Sequence, residues 1–124
     1  MLVQNQLPSG TEVLIGSTID NQFGPVMLFG LGGIFTEVLR DVSFGFAPLT
    51  EQEALRMINE TRAAKILNGL RGYPLADIKA LTEMMIRASF LAMEQPVMEM
   101  DLNPVIASPS GCAVADARIR VRMH

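Results

Sequence analysis

The chain has 124 residues, 49% of them apolar and 19% charged; that suits a single hydrophobic core and excludes a disordered polar segment. A net charge of -3 and a pI near 5.0 supply no basic field for a phosphate backbone, so nucleic acid is not an expected partner. The longest apolar run, Pro25 to Phe35, holds three glycines and falls well short of the roughly 20 residues that span a bilayer, so no membrane span is expected either.

In chain order, Leu2 to Gln4 reads as a strand that begins abruptly, and we expect part of the fold to lie upstream of it. No basic n-region, apolar segment or cleavage site accompanies Met1, which makes a cytoplasmic location the expectation. Pro8-Ser9-Gly10 is a turn leading to a strand over Thr11 to Thr18; Asp20, Asn21 and Gly24 mark the next turn, and Pro25 to Phe29 the next strand. Gly30, Gly32 and Gly33 interrupt the pattern. They do not form a dinucleotide fingerprint, because Phe35 stands at the third glycine position; a tight turn, a close backbone approach and a ligand contact all remain open. Ile34 to Leu39 and Val42 to Phe46 are short strand candidates around Arg40 and Asp41.

Helices begin after Pro48. Thr50 with Glu53 forms a capping box, in which hydroxyl and carboxylate each satisfy a free backbone N–H, so the spacing predicts a helix from Glu51 to about Asn59. A shorter one is expected over Arg62 to Leu67, stopped by Asn68-Gly69. From Pro74 to Pro96 the apolar residues Ile78, Leu81, Met85, Ala88 and Leu91 follow helical spacing, with Met84, Met85 and Met93 as core filler. Strands return at Val97 to Asn103, Val105 to Ala107 and Cys112 to Val121, the last two joined by Pro109-Ser110-Gly111. Strands grouped apart from helices imply an α+β domain with a largely antiparallel sheet and helices on one side.

Cys112 is the only cysteine and has no neighbouring cation, so it reads as a small packing residue. The one histidine, His124, cannot assemble a triad or zinc site, and no catalytic residue is assigned. The informative stretch is Glu99-Met100-Asp101-Leu102-Asn103. Strand alternation puts Glu99, Asp101 and Asn103 on one face. If Pro109 and Ser110 make a two-residue hairpin loop, Ser108 faces Gly111, and counting back sets Asn103 opposite Asp116. Cross-strand Cβ atoms lie about 4.5–5.5 Å apart, within reach of one cation, and Mg²⁺ accepts two such oxygens with water and phosphates completing its shell. A one-residue slip would turn Asp116 to the other face. The plain alternative is a solvated strand face with Asn103 turning before Pro104. Arg118, Arg120 and Arg122 likewise read as one solvated face.

Phe29-Gly30-Leu31-Gly32-Gly33-Ile34-Phe35-Thr36-Glu37-Val38-Leu39 and Asp41-Val42-Ser43-Phe44 resemble the ATP-grasp part of ADP-forming acyl-CoA synthetases. So do Ala47-Pro48-Leu49, Arg71-Gly72, Asp101-Leu102-Asn103-Pro104 and Asp116-Ala117-Arg118. The resemblance covers nearly the whole chain, in the family's order, and extends more distantly to succinyl-CoA synthetase β subunits. It implies that residues 1–124 form one partial domain, the C-terminal lobe of an ATP-grasp fold. The implied reaction joins a carboxylic acid and CoA at the expense of ATP, through a phosphohistidine. Carried over residue by residue, Asn103 and Asp116 bind Mg²⁺, the hinge Val3-Gln4-Asn5 touches adenine, and Glu12 and Glu37 are acids near the nucleotide. Arg118 matches a basic residue beside the metal strand. Gly45 and Asn5 depart from the family, which commonly has arginine and a charged residue there.

The family's N-terminal ATP-grasp lobe, with its phosphate-binding lysine, and its CoA-binding domain are not in these residues. The resemblance therefore implies a lobe inactive until that lobe and a CoA-binding domain or subunit are supplied, with CoA and the carboxylic acid held by those parts. Self-association or a partner subunit is expected, since a lone lobe exposes apolar surface. A non-catalytic assembly domain, and the ligase-like part of a protein acetyltransferase fusion, are the alternatives.

Overall fold

Apolar residues at every second position build the first hairpin. The structure, a computed structural model, describes residues 10–32, 41–69, 72, 75–94 and 97–122; the strands expected at Leu2 to Gln4 and Ile34 to Leu39 lie outside them. β1 (Thr11–Asp20) and β2 (Gly24–Leu31) pair antiparallel, from Val13 opposite Leu31 to Asp20 opposite Gly24. Both run further into the turn than their apolar patterns, because Asp20 organises it. Its Oδ1 accepts from the N–H groups of Gln22 (2.8 Å) and Phe23 (3.0 Å), and Gly24 takes a φ of 78° that a side chain would disfavour.

β3 (Val42–Phe46) lies outside β2. β4 (Val97–Ser108) returns after the helices to pair with the other edge of β1, and β5 (Gly111–Val114) and β6 (Ala117–Val121) pair with β4. The order is β3-β2-β1-β4-β5, with β6 also on β4, and every pairing given is antiparallel.

α1 (Glu51–Asn59) starts where Thr50 Oγ1 accepts from Glu53 N at 3.1 Å. The reciprocal half of the box is not made among the described residues, because Arg56 Nη2 claims Glu53 Oε2 at 2.9 Å. Arg56 also donates to Glu60 and to the carbonyl of Phe44, tying α1 to β3. α2 (Ala63–Leu67) ends at Asn68. α3 (Ile78–Ala92) begins later than Pro74, at an N-cap that the proline-based reading passed over: the Asp77 carboxylate accepts from Ala80 N at 3.0 Å.

The helices pack on one face of the sheet. Val13, Ile15, Met27 and Phe29 from the strands meet Met57, Ile58, Leu67, Leu81 and Met85 from the helices. The buried stripe of α3 runs Leu81, Met85, Ala88, Ala92, so Leu91 faces out. Met85 is core filler as expected and Met84 packs at the margin of the core. Met93, at the C-cap, is exposed instead, off the buried stripe that ends at Ala92. Two buried hydroxyls stitch the layers: Ser89 Oγ accepts from Leu49 N (2.9 Å), and Ser43 Oγ donates to Met57 O (2.7 Å). No helix among the described residues is long and apolar enough to cross a membrane.

Candidate functional site

The face of the sheet away from the helices carries the polar chemistry. The β4–β5 hairpin pairs Ser108 with Gly111, Ala107 with Cys112, Ile106 with Ala113 and Val105 with Val114, the register expected for a two-residue loop. Ser108 Oγ reinforces it, accepting from Ser110 N at 3.3 Å and donating to Gly111 O at 3.1 Å. The register then carries through the break between β5 and β6 without a slip. Ala115 N donates to Pro104 O (3.0 Å) and Asn103 N donates to Asp116 O (3.1 Å). Beyond it, Leu102 faces Ala117, Asp101 faces Arg118 and Glu99 faces Arg120. Asn103 and Asp116 are thus cross-strand neighbours, bonded through their backbones.

A bulge sits at this point. Between Val13–Val105 and Ile15–Leu102 the β1 strand advances two residues and β4 three, so Asn103 and Pro104 together oppose Leu14. Bulges re-aim side chains, and the burial pattern shows it. Met100 and Leu102 face the core before the bulge, Val105 and Ala107 after it. The peptide bond between Asn103 and Pro104 is cis. One face of β4 and β6 therefore presents a ladder of Glu99 with Arg120, Asp101 with Arg118, and Asn103 with Asp116. Glu99, Asp101, Arg118 and Arg120 line an open depression of about 340 Å³.

The glycines have a steric reason. A Cβ on Gly32 would stand 2.8 Å from Val13 O and 3.0 Å from Asn103 Oδ1, and one on Gly30 would stand 2.7 Å from Asp41 O. Close backbone approach is the role these two play, and at Gly32 the cleared space borders the Asn103 amide. Gly32 N donates to Glu12 O at 2.9 Å. Glu12 is exposed, opposite Ile106 of β4, and alternation along β1 puts it on this same face. Gly45, where the family commonly has arginine, is buried on the helix side; a Cβ there would lie 2.8 Å from Met57 Sδ. Gln4, Asn5 and Glu37 lie outside the described residues.

The donor set suits magnesium. An amide and a carboxylate on paired strands are hard oxygen ligands of the kind Mg²⁺ takes while keeping water and phosphate oxygens. No group of three or more His, Cys, Asp or Glu side chains able to hold a metal occurs among the described residues, so an all-protein cage is not what this surface offers. The arginines form the solvated strand face expected of them, and two of them have acidic partners on it. Arg120 Nε lies 3.2 Å from Glu99 Oε1, and Arg118 Nε 3.9 Å from Asp116 Oδ2. The hairpin count that joined Asn103 to Asp116 also sets Arg118 opposite Asp101 and Arg120 opposite Glu99, while Arg122 Nη2 lies 3.7 Å from Met98 Sδ. Cys112 fits its packing role: burial, aided by the charge of Asp77, pushes its thiol up to about 11.

Comparison with known proteins shows the family. The ATP-grasp domain family model matches residues 1–121. The chain is 48% identical over 120 residues to acetate–CoA ligase [ADP-forming] I of Archaeoglobus fulgidus, covering 96% of this chain and 18% of that protein. It is 44% identical over 120 residues to the β subunit of acetate–CoA ligase [ADP-forming] I of Pyrococcus furiosus, covering 96% of this chain and 52% of that one. Among solved structures, the dinucleotide-forming acetyl-coenzyme A synthetase 1 of Candidatus Korarchaeum cryptofilum superposes with a TM-score of 0.89 at 51% identity. That match covers 94% of this chain and 55% of the other, in a complex with coenzyme A and Mg-AMPPCP. The chain thus spans about half of such a subunit and less than a fifth of the longer ligase. It belongs to the ATP-grasp domain family, and its relatives are ADP-forming acetate–CoA ligases.

Proposed function

We propose that this chain is the Mg-ATP-binding C-terminal lobe of an ADP-forming acyl-CoA synthetase, acting with an N-terminal ATP-grasp lobe and a CoA-binding domain or subunit. The observation that carries this reading is the unbroken register between β4 and the β5–β6 strand, which sets Asn103 opposite Asp116 beside the space cleared by Gly32. Asn103 and Asp116 would hold the metal, whose contribution is to neutralise and bridge phosphate oxygens. Glu12 lies on the same sheet face and is proposed as a nucleotide-side acid, with Gln4, Asn5 and Glu37 as further nucleotide contacts. CoA and the carboxylic acid bind in parts outside this chain. Exposed Phe23, Phe44 and Phe46 at the far edge of the sheet supply apolar surface for the missing lobe or for another copy.

The test is magnesium-dependent ATP binding by the chain mixed with an N-terminal ATP-grasp lobe. Asn103→Ala and Asp116→Ala should each weaken it at least ~10-fold, the scale seen when support for a bound metal is removed. Undiminished binding by Asp116→Ala would instead favour a domain kept for assembly.

A further inference from the structure

Two arginines stand on the open face of β6, and they are held differently. Arg120 Nε sits 3.2 Å from Glu99 Oε1, on the residue directly across the strand pair. Arg118 faces Asp101 in the register, yet the ion pair it makes is with Asp116, two residues back on its own strand, at 3.9 Å. Its side chain is 81% exposed and that of Asp116 57%. Meanwhile Asn103 Oδ1 stands against Gly32. The carboxylate proposed to bind a divalent cation is thus turned along its own strand toward a monovalent one.

We infer that Arg118 is the resident counter-ion of Asp116, a positioning residue that competes with the metal and sets its affinity. The inference rests on the reading of Asp116 as a metal ligand. Arg118 can hold the carboxylate in the metal-free chain because strand alternation aims both side chains at the same face. A divalent cation at Asp116 must displace it, since a guanidinium and the ion repel at that separation. The pair is long and water-exposed, so the exchange costs little, and Arg118 can swing to Asp101 across the strand pair. Arg120 cannot substitute, because Glu99 holds it one full rung further from Asp116. The arrangement balances the Asp116 charge without metal, and lets the ion enter without unfolding anything.

Mn²⁺ binding to the 124-residue chain, read from the loss of the free-ion paramagnetic resonance signal, tests this without any turnover. Arg118→Gln should bind Mn²⁺ about fivefold more tightly than the unaltered chain, the size of one unit-charge interaction at this distance in a water-like medium. Arg118→Lys, which keeps the charge, should stay near the unaltered value, as should Arg120→Gln. Asp116→Asn should lose at least ~10-fold. A merely structural role for Arg118 predicts unchanged or weaker binding in Arg118→Gln. That result, with Asp116→Asn still impaired, overturns the counter-ion role and leaves the metal reading intact. Equal Mn²⁺ binding by Asp116→Asn overturns the metal reading and this one with it. Matched thermal melts confirm that each variant is folded.

Discussion

The two faces of this one sheet are built to opposite rules. On the helix side, Phe29 and Met27 of β2 are wholly buried, and the hydroxyls of Ser43 and Ser89 have assigned partners, whereas Thr11 Oγ1 is buried without one. On the other side, Phe44 and Phe46 of the adjoining strand are more than half exposed, and the charged ladder of β4 and β6 is open to water. The same backbone pairing serves both. Fold stability is concentrated on one face, so the other is free to carry exposed side chains whose ion pairs add little to stability.

The sharpest way to break that contrast is to truncate one aromatic on each face. Phe29→Ala removes a buried ring and should destabilise by about 3–5 kcal/mol, from lost transfer energy plus the cavity left behind. Phe44→Ala, on a ring 55% exposed, should cost less than about 1 kcal/mol by urea denaturation, because most of its surface is already in water. Equal losses would mean that the open face is covered in solution. A second, smaller effect is expected at Ser89. Its Oγ accepts from Leu49 N and donates to Ile86 O at 2.6 Å, so Ser89→Ala leaves a buried N–H without a partner and should cost about 1–3 kcal/mol. Ser89→Thr would not repair this if the added methyl finds no room at a fully buried position.

How much of each face was legible follows from how local its causes are. The β4–β5 hairpin could be counted from the sequence because a two-residue loop and a period of two leave one register, and Asn103 fell opposite Asp116 by that arithmetic. The bulge at Asn103–Pro104 could not, since it is a mismatch with β1, some 90 residues away in the chain. For the same reason the central place of β1, flanked by β2 and β4, is tertiary information that periodicity does not carry. The start of α3 was within reach: Asp77 immediately before Ile78 is an N-cap signal, overshadowed by Pro74. At Gly32 the sequence marked a special position, and the proximity of Val13 O and Asn103 Oδ1 supplies the steric reason that periodicity could not.

The smallest effect belongs to the Glu99–Arg120 rung. Its partners are 54% and 66% exposed at 3.2 Å, so water screens the attraction and two mobile side chains must be ordered to make it. Arg120→Gln should therefore change stability by no more than about 1 kcal/mol, and the change should shrink between low salt and 1 M NaCl, where the Debye length falls to about 3 Å. A loss that persisted undiminished at high salt would contradict the ladder as a water-exposed array. It would point instead to packing of the Arg120 stem on the sheet as the source, and would bring the open face under the same rule as the buried one.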